Sequence, residues 1–89
     1  MRAVVTVIGK DKVGILAQIS SVCAECNVNI NDVNQSVMQD LFTMVMLCDI
    51  KDMNVSFKEL SDKLAKKGNE LGLSIHVTHE DIFNSMHRI

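Results

Sequence analysis

The residues of this 89-residue chain with the most chemical potential are three cysteines, three histidines and one polar turn bounded by glycines. Cys23 and Cys26 form a Cys-x-x-Cys pair, a spacing shared by redox dithiols and metal sites. A redox pair needs its first thiol at a helix N-terminus, where the dipole lowers the thiol pKa. This pair lies instead in the last turns of an apolar-striped segment, so it reads as core cysteine. His76 and His79 flank the end of the last strand-like segment and His87 lies near the C-terminus. A zinc site from these cysteines and histidines would need closer spacing, so no metal is expected. The histidines are expected at the surface. No nucleophile–base pair is legible from spacing, so no catalytic residue, cofactor or enzymatic activity is expected.

The turn is Gly9-Lys10-Asp11-Lys12-Val13-Gly14-Ile15-Leu16. An apolar run from Ala3 to Ile8 stops at Gly9, three charged residues follow, and a helical pattern starts at Val13. A strand that turns through a short loop into a helix leaves the first helical N–H groups unpartnered, a patch suited to an anion or a carboxylate. Asn29, Ile30, Asn31 and Asp32 open the next strand, and their Asn and Asp oxygens suit an ammonium. Together the two stretches match the two poles of a free amino acid. Taken as local chemistry, the same residues are ordinary turn-formers. Spacing alone leaves open whether the stretches meet within one chain or across two.

The elements that position these groups follow from periodicity. Ala3-Val4-Val5-Thr6-Val7-Ile8 is apolar on both alternating faces and predicts a central strand. Ile15, Ile19, Val22 and Cys26, widened by Leu16 and Cys23, predict an amphipathic helix from Val13 to Glu25 with Asp11 as its preferred cap. Asn29 to Met38 reads as a strand with one polar side, Gln39-Asp40 as a hairpin turn, and Leu41 to Ile50 as a second strand apolar on both faces. Ser56 and Glu59 form a capping box, with Val55 and Leu60 placed as a staple. The helix they open ends at Gly72, its outer face carrying Glu59/Lys63, Asp62/Lys66 and Lys66/Glu70 as a solvated surface. Leu73 to Val77 alternates as an edge strand. A short helix over about residues 79–88 closes the chain, capped by Thr78 or His79, with Ile82, Phe83, Met86 and Ile89 on its apolar face and His87 and Arg88 in its last turn.

The order β-α-β-β-α-β predicts an α+β, ferredoxin-like fold: one four-stranded antiparallel sheet in the order 4-1-3-2, with two helices on one face and a short C-terminal helix. The doubly apolar first and third strands then fall in the centre. Two helices cover one face only, so the other must be covered by the C-terminal helix or by a second copy of the chain. A metal-carrying domain of this topology would put its Cys-x-x-Cys in the first strand–helix turn, and an acylphosphatase-type enzyme would put an arginine there. The only arginines are Arg2 and Arg88. An RNA-binding relative would carry aromatics on its central strands, where only Phe42 stands.

Residues 1–89 make a single domain, and 47% of them are hydrophobic, enough for a core and for apolar surface that meets a partner. A net charge of −2 with interspersed signs argues against nucleic acid and anionic membrane as ligands. No apolar run is long enough for a membrane span or a signal-peptide core, and an odd set of cysteines in apolar patterns fits reduced thiols. The expected setting is the cytoplasm.

Three stretches together resemble a family. Gly9-x-Asp11-x-x-Gly14-Ile15-x-Ala17-x-Ile19-Ser20, then Asn29-Ile30-x-Asp32-x-x-Gln35, then Phe42-x-Met44 are similar to the ACT domain. The stand-alone type and the domains of the glycine-cleavage-system repressor and formyltetrahydrofolate deformylase are the nearest in pattern. The residue before the second glycine, often proline in that family, is Val13 here. The resemblance implies a regulatory module that binds a small effector, an amino acid or a related molecule, at the interface of a homodimer or higher homo-oligomer. It places Asp11, Lys12, Val13, Gly14, Ile15 and Leu16, with Asn29, Ile30, Asn31 and Asp32, at the ligand site. The alternative is a ligand-independent dimerisation and protein-interaction module, docking on a regulated partner protein.

Overall fold

The computed structural model describes residues 1–10 and 13–86. Its elements are β1 (Arg2–Lys10), α1 (Ile15–Glu25), β2 (Asn29–Met38), β3 (Leu41–Asp49), α2 (Phe57–Leu71), β4 (Ser74–His79) and α3 (Glu80–Met86). All strand pairs are antiparallel, and the sheet order β2-β3-β1-β4 is the expected 4-1-3-2 read from the other edge.

Strand alternation sorts the central residues cleanly. Ala3, Val5 and Val7 of β1 and Phe42, Met44, Met46 and Cys48 of β3 point to the helices and are buried. Ile15, Ile19, Val22 and Cys23 of α1 and Leu60 and Leu64 of α2 close that core. Val4, Ile8, Leu41, Val45 and Leu47 lie on the opposite face, outside the core cluster.

Three boundaries differ from the periodicity. β1 runs through Gly9 to Lys10, which pair with Phe42 and Leu41, and Gly9 packs closely enough that a Cβ there would stand 2.5 Å from Leu73 Cδ2. α1 begins at Ile15 rather than Val13, and its N-cap is Gly14 rather than Asp11. β4 extends to His79, which pairs with Ala3, so Thr78 and His79 are strand residues and α3 starts at Glu80. The expected roles of His87, Arg88 and Ile89 fall outside the described residues.

Both longer helices end in the same way. Asn27 (φ 57°) follows α1, with Asn27 N–H donating to Ala24 O at 3.1 Å and Val28 N–H to Cys23 O at 2.8 Å. Gly72 (φ 71°) follows α2, with its N–H donating to Asn69 O at 3.3 Å and Leu73 N–H to Gly68 O at 2.7 Å. These paired bonds satisfy carbonyls that a helix end leaves open. At the start of α2, Ser56 Oγ accepts from Glu59 N–H at 3.1 Å. The reciprocal half of the box takes a different form: the Ser56 hydroxyl donates to Glu59 Oε1 at 3.3 Å. On its outer face the ion pairs that form are Lys58–Asp62 (3.1 Å) and Lys67–Glu70 (3.2 Å), not the three anticipated ones.

α3 touches β1 and β4 and is tied down by Arg2, whose guanidinium makes two contacts with Glu80, at 3.1 Å and 2.8 Å. Val4 is only 4% exposed on this outward face, while Ile8 (40%) and Leu41 (46%) stay open. The helix thus closes one end of the second sheet face and leaves the rest bare.

Candidate functional site

The β1–α1 turn leads into the helix through Gly14. Gly14 adopts the left-handed conformation (φ 82°, ψ 11°), and among the described residues no side chain caps the helix. At this end of the helix Gln18 N–H donates to Gly14 O at 3.1 Å. Among the described residues nothing lies within 4 Å of a Cβ at Gly14, so its glycine answers the positive φ. Val13 is fully exposed just outside the helix, whereas Ile15 is buried in the core and Leu16 packs against it. From this stretch, then, Val13 and Gly14 are exposed, and the Ile15 and Leu16 side chains serve packing. Asp11 and Lys12 lie outside the described residues.

The other half of the expected site is at the start of β2. A register shift between Ile30 and Asp32 makes Asn31 the extra residue of a bulge, a device that re-aims a side chain. Asn29 Nδ2 donates to Asn31 Oδ1 at 3.3 Å, and Asp32 Oδ1 accepts from Val33 N–H at 2.9 Å. Asn29, Asn31 and Asp32 are exposed, and Ile30 is half-buried against the core. Asn29 also lines a polar depression of about 540 Å³ with Asn27, Asp49, Lys51 and Asp52.

Within one chain these halves do not meet. Asn29 pairs with Asp49, which pairs with Arg2, while Met38 pairs with Leu41, which pairs with Lys10. Asn29–Asp32 therefore sits at the Arg2 end of β1 and the turn at the Lys10 end. At a rise of about 3.3 Å per residue the separation is roughly 20–26 Å, far beyond the reach of one amino acid.

The cysteines are packing residues. Cys23, Cys26 and Cys48 are all free and buried. A hydrogen bond from Cys48 draws the Cys23 thiol below its usual range against the opposing effect of burial, and the same bond together with burial pushes Cys48 up. Burial pushes the Cys26 thiol up, partly opposed by the Lys63 charge. Among the described residues no group of three or more His, Cys, Asp or Glu could hold a metal ion. His76 is exposed as expected; His79 is not, for its ring stacks on Phe57 with centroids 4.0 Å apart and 13° between planes. Among the described residues no helix is long and apolar enough to cross a membrane.

The order βαββαβ, with a positive φ just before α1 and a bulged β2, defines a small ferredoxin-like α+β domain. A profile described as ACT domain matches residues 2–78, and the chain belongs to that family. A UPF0237 protein of Methanopyrus kandleri is 54% identical over 99% of this chain and 98% of its own length. An ACT domain protein from Streptococcus pneumoniae superposes with a TM-score of 0.81 at 36% identity, covering 93% of each chain. A putative glycine cleavage system transcriptional repressor shares the fold, with a TM-score of 0.75 at 22% identity, over 86% of this chain and 44% of that one.

Proposed function

We propose that this chain is an amino-acid-responsive regulatory domain that works as a homodimer, with each effector site built from two chains. The observation that carries the reading is the placement of the two half-sites at opposite ends of the sheet. β2 is an edge strand with a free row of backbone donors and acceptors. Antiparallel pairing of β2 with its copy about a two-fold axis sets the Asn29–Asp32 end of one chain beside the Lys10–Gly14 end of the other. The N–H groups of α1 then take the effector carboxylate, and the Asn29 and Asn31 amide oxygens take its ammonium. Asp32 Oδ1 accepts from Val33 N–H and Asn31 Oδ1 from Asn29 Nδ2, so the second Asp32 oxygen joins them as an acceptor for the ammonium. The regulatory character of the family, and the repressor among its structural neighbours, support a role as a sensor in the cytoplasm that acts on a protein partner, without nucleic-acid or membrane contact of its own.

Thermal-shift screening with the common amino acids at millimolar concentration tests this. At least one should stabilise the protein, since a ligand at about 100 times its Kd adds about 2.7 kcal/mol to the folded state. No stabilisation by any of them contradicts the reading. The second reading, a ligand-independent interaction module, draws on the exposed apolar residues Ile8, Val37, Met38 and Leu41. A protein partner that binds regardless of amino acids, and that Gly14→Leu leaves bound, would favour it.

A further inference from the structure

Burial alone makes a thiol inert, and Cys26 is such a case: it is 1% exposed, and burial pushes its thiol up. Cys23 and Cys48 are buried as deeply but differ in two respects. They touch: Cys48 on β3 donates a hydrogen bond to the Cys23 sulfur in the last turns of α1, and that bond favours the Cys23 thiolate. They also lie beside the polar depression of about 540 Å³ at the Asn29 end of the sheet, whose lining includes Ala24, Val28 and Asp49. Ala24 follows Cys23 in the chain, Asp49 follows Cys48, and Val28 N–H donates to Cys23 O at 2.8 Å. The lining of the depression is thus made of the residues next to the two thiols. A helix end opens locally at small cost. Hydrogen peroxide is near the size of water and fits such an opening, as a bulky disulfide reagent does not.

We propose that Cys23 and Cys48 are a peroxide-oxidisable pair that closes into an intramolecular disulfide and fastens the end of α1 to the central strand β3. The Cys23 sulfur attacks one oxygen of hydrogen peroxide, the O–O bond breaks, and the departing hydroxide takes the Cys23 proton and leaves as water. Cys23 is then a sulfenic acid. The Cys48 sulfur attacks the Cys23 sulfur and the S–O bond breaks. The second hydroxide takes the Cys48 proton and leaves as water. Two thiols are oxidised with the loss of two hydrogens, and one peroxide is reduced to two waters. Cys48 is the resolving residue because it is the thiol already in contact.

The bridge has a defined mechanical effect. Cys48 pairs with Ala3 on one side and with Ile30 on the other, so the disulfide ties α1 to the middle of the sheet beside Asn29–Asp32. It closes a loop of about 25 residues, which should raise Tm by about 10–20 °C.

The full-length protein, reduced and folded, is treated with hydrogen peroxide, then unfolded in urea with an alkylating reagent, digested and mapped by mass spectrometry. Met38, 70% exposed, reports the dose through its sulfoxide. At a dose that oxidises Met38, a peptide linked through Cys23 and Cys48 should appear, and Cys26 should carry the alkyl group. Dithiothreitol, which leaves methionine sulfoxide unchanged, should lower the Tm of the oxidised protein by about 10–20 °C. Cys26→Ala should keep the bridge and Cys48→Ala should lose it; the wild-type peptide map decides the pairing even where Cys48→Ala does not fold. Cys23 and Cys48 both still alkylated once Met38 is oxidised would overturn the proposal. So would a bridge that includes Cys26, or one that forms only between chains or only in urea. A Tm that dithiothreitol leaves unchanged overturns the fastening of α1 to β3.

Discussion

Gly14→Ala isolates the conformational demand of the β1–α1 turn from every packing effect. Gly14 sits at φ 82°, ψ 11°, and a Cβ placed there meets nothing within 4 Å. The substitution removes no contact and creates no clash, so what remains is the strain of an L-residue in the left-handed region, about 1–2 kcal/mol. Reduced freedom of the unfolded chain offsets about 0.4–1 kcal/mol of that. The net loss should be about 1 kcal/mol, a fall in Tm of about 4–8 °C for a domain of this size. Gly14→Asn should lose less than Gly14→Ala, because asparagine visits this region more readily. Gly68→Ala makes the contrast. Its Cβ would stand 2.9 Å from both Ile75 Cγ1 and the Leu73 carbonyl oxygen, so it should cost about 1–3 kcal/mol by overpacking despite better helix propensity. Urea unfolding followed by circular dichroism measures all three variants. A Gly14→Ala protein as stable as wild type, or one less stable than Gly14→Asn by nothing at all, would refute the conformational argument. A loss above about 3 kcal/mol would mean that the turn touches something a bare positive φ does not explain.

Other expectations follow from single contacts. Ser56→Ala removes the acceptor for Glu59 N–H and should cost about 1 kcal/mol in urea unfolding. Leu64→Ala, at a fully buried site, should cost about 2–5 kcal/mol in the same assay. The three thiols should resist a disulfide reagent in the native protein and all react once it is unfolded by urea. Burial raises the Cys26 pKa above the unfolded value of about 9, so its contribution is complete below that pH and is lost as pH rises further; melting curves should fall on the alkaline side.

Much of the fold was legible because the patterns were redundant. β1 and β3 carry apolar residues on both faces, and the topology independently makes them central. The helix start of α1 was less legible. Its apolar stripe counts from Ile15 and extends by eye to Val13, but the positive φ at Gly14 breaks the helix between them. That conformation also explains the glycine. The end of β4 was hidden by composition, since Thr78 and His79 suit a helix cap as well as a strand; pairing with Val4 and Ala3 decides it. The site residues were nameable, and their separation is set by the crossover connection, which makes β2 parallel to β1 and starts it at the Arg2 end. The bare sheet face was foreseeable from two helices on one side, but how far α3 would reach was a matter of tertiary packing.

The central claim is that the effector site needs two chains, and ligand-linked association tests it most directly. The dissociation constant of the dimer formed through β2 should be measured by sedimentation with and without the amino acid that gives the largest thermal shift. If the site is shared, that amino acid binds the dimer alone and must tighten it, and Asn31→Ala should abolish the tightening. A dissociation constant unchanged by a bound amino acid would place the whole site within one chain and contradict the account.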